Sequence, residues 1–202
     1  MIAIIDYGVG NLFSLQSSLK FIGADAEVTN DIAKIKAADR IILPGVGAFA
    51  DAIRKLRESG MEQVVLEEAA NGKPLLGICL GMQMLLEKSY EYGEHAGLGL
   101  IGGSVKPIAP MIGTGLKVPH IGWNRLIFPK EKEKSKLFQY INEGDCVYFY
   151  AGVDCDAFVS ARTEYGAELT AAVERGNVYG TQFHPEKSGE VGLQILKAFC
   201  EL

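Results

Sequence analysis

Two stretches of this sequence carry side chains whose types could do chemistry together. The first is Gly77-Ile78-Cys79-Leu80-Gly81-Met82-Gln83, a cysteine standing between two glycines. The second lies far downstream, where Val178-Tyr179-Gly180-Thr181-Gln182-Phe183 runs into His184-Pro185-Glu186-Lys187-Ser188. A thiol attacks as thiolate and needs a base to become one. Pro185 fixes its own φ and drives His184 toward extended backbone. In an extended segment residues i and i+2 project to one side, so the Glu186 carboxylate is expected to meet the His184 imidazole. A carboxylate on one ring nitrogen sets the tautomer and leaves the other free to take a thiol proton. Cys79, His184 and Glu186 thus have the types and order of a nucleophile–base–carboxylate triad. Neither stretch has the spacing of a zinc site and the cysteines do not pair as Cys-x-x-Cys, so no metal and no cofactor is expected. Each half alone has a plainer explanation: free cysteine is often just a buried small hydrophobe, and His-Pro-Glu suits a solvated surface turn.

The elements around these residues must position them. Pro74-Leu75-Leu76-Gly77-Ile78 reads as a buried strand, while Leu80, Gln83, Met84 and Glu87 fall at helical spacing. The chain therefore turns from strand to helix at Cys79, and Gly77 and Gly81 remove the side chains that would clash there. Gly-x-Cys-x-Gly is the thiol counterpart of the Gly-x-Ser-x-Gly nucleophile elbow. The N–H groups opening the next helix favour thiolate, and that of Leu80 supplies half of an oxyanion hole.

Upstream, Ile2 to Ile5 is a strand, followed by a loop over Asp6-Tyr7-Gly8-Val9-Gly10-Asn11 and a helix with Leu12, Leu15, Leu19 and Ile22 inward. Gly8 and Gly10 do not complete a dinucleotide-binding pattern. Ala26 to Val28 and Arg40 to Leu43 are strands, the second ending in Pro44-Gly45-Val46-Gly47. Ala48 to Glu58 is an amphipathic helix with Phe49, Ala52, Ile53 and Leu56 inward, and Met61 to Ala70 is another. Strand, turn and helix alternate as in βαβ units around a parallel sheet. Ligands of such sheets bind beyond the strand C-termini, where both Pro44–Gly47 and Cys79 fall. Gly45 and Gly47 permit a backbone N–H to turn toward the cysteine, or form an ordinary strand–helix turn.

Beyond Gly97 helical periodicity fades into strands and loops: Val118 to Phe128, Cys146 to Tyr150, Phe158 to Arg162 and Leu169 to Glu174. The alternating charges from Lys130 to Lys136 read as a solvated loop. A final helix carries Val191, Ile195, Leu196 and Phe199. The single tryptophan, Trp123, suits either core or an exposed anchor.

At 202 residues the chain suits one α/β domain spanning 1–202. With 48% hydrophobic and 22% charged residues it has an ordinary globular composition, and a formal charge of −5 gives no general attraction for nucleic acid or acidic membranes. The apolar start Met1-Ile2-Ala3-Ile4-Ile5 has no basic leader and is broken by Asp6, so a strand and not a signal peptide is expected. No apolar run approaches a membrane span. Cys79, Cys146, Cys155 and Cys200 have no disulfide-framework spacing, which implies a reducing, cytoplasmic setting.

Residues 77–83 and 182–188 resemble the class I, triad-type glutamine amidotransferases. Asp6-Tyr7-Gly8-Val9-Gly10-Asn11-Leu12, Pro44-Gly45-Val46-Gly47 and His120-Ile121-Gly122-Trp123-Asn124 extend the resemblance over nearly the whole chain. It implies a three-layer, flavodoxin-like α/β sandwich around a mostly parallel sheet, and hydrolysis of glutamine by Cys79, His184 and Glu186. It further implies that Val46 and Gly47 form the second half of the oxyanion hole, after a peptide flip. Gln83 and Glu91 would hold the amino-acid end of glutamine, with backbone contacts from Gly152 and Val153. Asn11, His120, Trp123, Asn124, Tyr148 and Lys187 would face a separate (βα)8-barrel synthase subunit in a heterodimer. Ammonia near neutral pH is mostly ammonium and no nucleophile, which makes a closed route to that subunit chemically useful. One departure stands out: where the family carries His-Ser or His-Thr and an aromatic, this chain has Ala151-Gly152-Val153. Two rivals differ in class: a cysteine hydrolase of peptides or esters acting without a partner, and a flavodoxin-like binding module with an inert cysteine.

Overall fold

The computed structural model describes residues 1–151, 153–155 and 158–202. The chain begins β1 (Ile2–Ile5), α1 (Leu12–Phe21), β2 (Ala26–Thr29), α2 (Ile32–Ala37), β3 (Arg40–Gly45), α3 (Phe49–Glu58), α4 (Met61–Ala70), β4 (Leu75–Cys79) and α5 (Leu80–Leu85). It continues through β5 (Leu86–Ser89), β6 (His95–Ala96), β7 (Ile101–Pro107), β8 (His120–Arg125), β9 (Cys146–Ala151), β10 (Val153–Cys155), β11 (Val159–Glu164), β12 (Glu168–Arg175), β13 (Val178–Thr181) and α6 (Gly189–Glu201).

Seven strands form the central sheet in the order β11-β12-β13-β4-β3-β1-β2. From β13 to β2 every pairing is parallel, and β12 and β11 extend the sheet antiparallel. Alternation divides each strand between two cores. Ala3, Ile5, Ile41 and Leu43 face α3 and α4 through Phe49, Ile53, Leu56 and Val65. Ile2, Ile4, Ile42 and Leu76 face α1 and α6 through Leu15, Leu19, Ile195 and Phe199. Burying one such side chain contributes about 1.5–3 kcal/mol, so this three-layer α/β arrangement is held chiefly by its two apolar cores.

Two elements depart from the expectations above. The six-residue α2, started by Asp31 Oδ1 accepting from the Ala33 N–H at 2.8 Å, lacks a long apolar period. The elbow helix α5 stops at Leu85, and Glu87 lies in β5 instead of continuing it. There the chain leaves to pair with β7, and Gly97 packs so closely on Leu86 that a Cβ would lie 2.1 Å from its carbonyl oxygen. The later half forms two small sheets, β10-β7-β5-β6 and the antiparallel pair β8-β9. β9 braces the segment after β13: the His184 N–H donates to Tyr148 O at 3.1 Å, and the Tyr148 N–H to Ser188 Oγ at 2.9 Å. Among the described residues no helix is long and apolar enough to cross a membrane.

Candidate active site

Cys79 ends β4 and immediately precedes the first N–H groups of α5, that of Leu80 foremost. Its backbone lies at φ +56°, ψ −112°, a region non-glycine residues rarely adopt, at a cost of about 1–3 kcal/mol. Close packing maintains that strain. A Cβ on Gly81 would lie 1.9 Å from Leu43 O, one on Gly77 2.8 Å from the Gly81 carbonyl, and one on Gly45 2.8 Å from the Gly81 N. These glycines serve the approach of β3, β4 and α5; the positive φ belongs to the cysteine itself.

β13 runs beside β4, with Thr181 opposite Ile78, so His184 emerges at the same sheet edge as Cys79. Its Nδ1 lies 2.8 Å from Glu186 Oε1, and both side chains are buried. The route differs from the expected extended i, i+2 alignment. His184 is extended (φ −100°, ψ 99°), but Pro185–Lys187 is a 3-10 turn that folds the carboxylate back onto the ring. Ser188 fastens this turn, its hydroxyl donating to His184 O at 2.7 Å. Burial works against charge on His184, but hydrogen bonds to Cys79 and Glu186 and their negative charges outweigh it, raising its pKa from 6.5 to about 9. The imidazole therefore holds its proton more firmly than a free histidine does.

A cavity of about 500 Å³ opens over this pair. Val46, Gly47, Leu80, Gln83 and Glu91 line it, as do Tyr92, Val118, Pro119 and Tyr150. Glu91 Oε2 accepts from the Phe49 N–H at 2.8 Å, which ties it to the start of α3. Gly47 has φ +95°, and it and Val46 are exposed. Gly152 lies outside the described residues, as does the side chain of Val153, whose backbone pairs with Pro107.

The partner-facing candidates divide. Trp123 is 59% exposed and meets Tyr148 edge-on at 6.0 Å, while Lys187 Nζ lies 5.9 Å from the Tyr148 ring and also borders the cavity. His120 and Asn124 are buried on the opposite face of β8. They bond to each other at 2.5 Å, and the His120 ring stacks on Tyr165 at 3.7 Å, so they support the strand from inside and offer no surface. Asn11, half-buried, borders a small space beside Glu186, whose Oε2 is buried without a hydrogen-bond partner among the described residues.

Sequence reasoning missed two residues. Tyr7 is buried below the Pro44–Gly47 loop and donates to Pro44 O at 2.8 Å; burial and the nearby Cys79 charge push its phenol upward, so it remains a donor. Gln182 is 1% exposed and touches Cys79, Gln83 and Tyr150. A polar residue in an apolar strand, two before His184 and so on its face, was the available signal.

A class-I glutamine amidotransferase model matches residues 3–201. Imidazole glycerol phosphate synthase subunit HisH of Wolinella succinogenes is 48% identical over 207 residues, covering all of both chains. The same-named subunit of Caldanaerobacter subterraneus subsp. tengcongensis is 48% identical over all of this chain and 98% of its own. Among solved structures, one described as a glutamine amidotransferase superposes with a TM-score of 0.76 at 21% identity, covering 100% of this chain and 98% of the other. PurLQS from Thermotoga maritima gives 0.74 at 21%, covering 99% and 97%; at such identity both speak for the fold alone. A full-length match of this strength, with a cysteine elbow and its imidazole at one sheet edge, makes the chain a member of the class-I glutamine amidotransferases, within the HisH subunits of imidazole glycerol phosphate synthase.

Proposed function

We propose that the chain is the glutaminase subunit of an imidazole glycerol phosphate synthase. It hydrolyses glutamine to glutamate and ammonia and delivers the ammonia to a separate (βα)8-barrel cyclase subunit. That subunit forms imidazole glycerol phosphate and an aminoimidazole-carboxamide ribotide in histidine biosynthesis. One observation carries the reading: a strained cysteine opens into the same cavity as a carboxylate-backed imidazole, Gln83 and Glu91.

The Cys79 thiolate attacks the carboxamide carbon, with the thiol proton held on His184. The carbonyl electrons move to oxygen, where the N–H groups of Leu80 and of Val46–Gly47 receive them. Collapse breaks the C–N bond while His184 protonates the departing nitrogen, leaving ammonia and a glutamyl thioester. His184 then takes a proton from water, whose oxygen attacks the thioester and releases glutamate and thiolate. Glu186 orients the ring and stabilises the imidazolium without accepting the proton. Gln83 and Glu91 hold the amino-acid end, aided by the backbone of Gly152 and Val153.

The exposed Trp123, with Tyr148 and Lys187 beside the cavity mouth, is suited to receive the cyclase subunit in a heterodimer, with Asn11 contributing from the 6–11 loop. His120 and Asn124 hold this surface from within. The free cysteines agree with a cytoplasmic setting.

The test is glutamate release from glutamine by the purified chain, with and without the cyclase subunit and its ribonucleotide, for wild type and Cys79→Ala. Release that the partner stimulates and Cys79→Ala abolishes is expected. Equal, negligible release in every sample, with the partner bound, overturns the reading.

A further inference from the structure

The hydrogen bonds of Gln182 have determined directions. The Tyr150 carbonyl can only accept, so the Gln182 atom 2.9 Å from it must be the amide nitrogen. Its Oε1 therefore points the other way, 2.9 Å from Gln83. An amide oxygen only accepts, so Gln83 turns its NH2 toward Gln182, which leaves its own Oε1 free to serve the cavity that Gln83 lines. The second N–H of Gln182 reaches the Cys79 sulfur at 3.7 Å. A backbone carbonyl thus fixes the orientation of two amides in succession.

We propose that Gln182 is a positioning residue that sets two properties of the site together: it makes Gln83 present an oxygen to the α-ammonium of glutamine, and it directs an N–H donor at the Cys79 sulfur. The inference rests on the glutaminase reading and deepens it. With Gln83 Oε1 and the Glu91 carboxylate both acceptors, the pocket suits a free amino acid whose α-nitrogen is a cationic donor. A reversed Gln83 would present two N–H donors to that ammonium and repel it. The same amide links recognition to nucleophile, since the group that orients Gln83 also contacts the sulfur. A buried polar network of this kind is specific because every member has a partner.

The test uses the full chain with its cyclase subunit, comparing wild type with Gln182→Met, which keeps length and removes the polar atoms. Hydrolysis of glutamine and of glutaric acid monoamide, which lacks the α-ammonium, is measured beside alkylation of Cys79 by iodoacetamide at neutral pH. Losing one hydrogen bond on each side should raise KM for glutamine about five-fold, reduce the preference over the monoamide similarly, and slow alkylation about five-fold. Unchanged preference and unchanged alkylation in a folded variant overturn the proposal. If Gln182→Met fails to fold, Gln83→Met replaces it: preference should fall while alkylation stays at the wild-type rate, and a retained preference overturns the proposal. If alkylation slows while even the wild type releases no glutamate, the glutaminase reading fails and the donor to sulfur stands.

Discussion

Around Cys79 the backbone has no room to move, whereas across the cavity Val46 and Gly47 are exposed, and a Cβ on Gly47 would meet nothing within 4 Å. On the first side, three glycines admit contacts that no side chain would allow, and a turn closed by Ser188 fixes the imidazole and its carboxylate. On the second, the loop is pinned at its root, where Tyr7 holds the Pro44 carbonyl. Cys79 is thus held by the packing of the fold itself, while the Val46–Gly47 loop, which we propose donates to the oxyanion, lies open to solvent. A site of that kind can keep its cysteine and imidazole in place and still wait for a partner to complete it.

The largest effect that sharpens this contrast is expected from Gly81→Ala. Its Cβ would lie 1.9 Å from Leu43 O, a backbone atom that cannot yield, so the variant should lose more than about 3 kcal/mol or fail to fold. A melting temperature near wild type would break the comparison. Glu186→Gln comes next, removing the carboxylate that orients His184 at 2.8 Å; kcat should drop about 100-fold with KM little changed. An equal fall in glutamine binding would show that the carboxylate serves the pocket and not the imidazole. Gly47→Ala tests the open side. Without a clash, only the φ of +95° opposes it, so stability should fall about 1 kcal/mol while kcat falls about ten-fold. A loss of stability as large as that of Gly81→Ala would erase the distinction.

A smaller effect follows from pH. The folded protein raises the pKa of His184 from 6.5 to about 9. The stabilisation is therefore fully present below pH 6.5 and is lost as pH rises through about 9. Thermal unfolding across that window should show the decline, and Cys79→Ala, lacking the sulfur that helps raise the His184 pKa, should show less of it. Hydrolysis should also weaken above about pH 9, where His184 no longer carries the proton that the leaving nitrogen needs.

Much of the rigid side was legible in the sequence. Gly77, Cys79 and Gly81 marked a strand–helix junction, and Pro185 the extended backbone of His184, because each depends on local backbone constraint; the 3-10 turn that brings Glu186 onto the ring did not follow from the i, i+2 spacing. The helices over 49–58 and 61–70 followed from apolar periodicity. Less legible were features that depend on distant packing. α5 ends early because β5 finds a partner in β7, which the spacing of Glu87 could not reveal. His120 and Asn124 share a stretch with Trp123 but occupy the other face of a strand, whereas the resemblance placed all three at the partner interface. Gln182 acquires its contacts only when β4, β9 and β13 converge.

The most direct test of the contrast measures Cys79 alkylation by iodoacetamide and glutamine hydrolysis on one wild-type preparation, with and without the cyclase subunit and its ribonucleotide. Alkylation needs the thiolate and not the oxyanion hole, so it should proceed at nearly the same rate in both states while hydrolysis rises strongly with the partner. If the two rates rise together by the same factor, the nucleophile is not formed in advance and the account of two differently built sides is wrong.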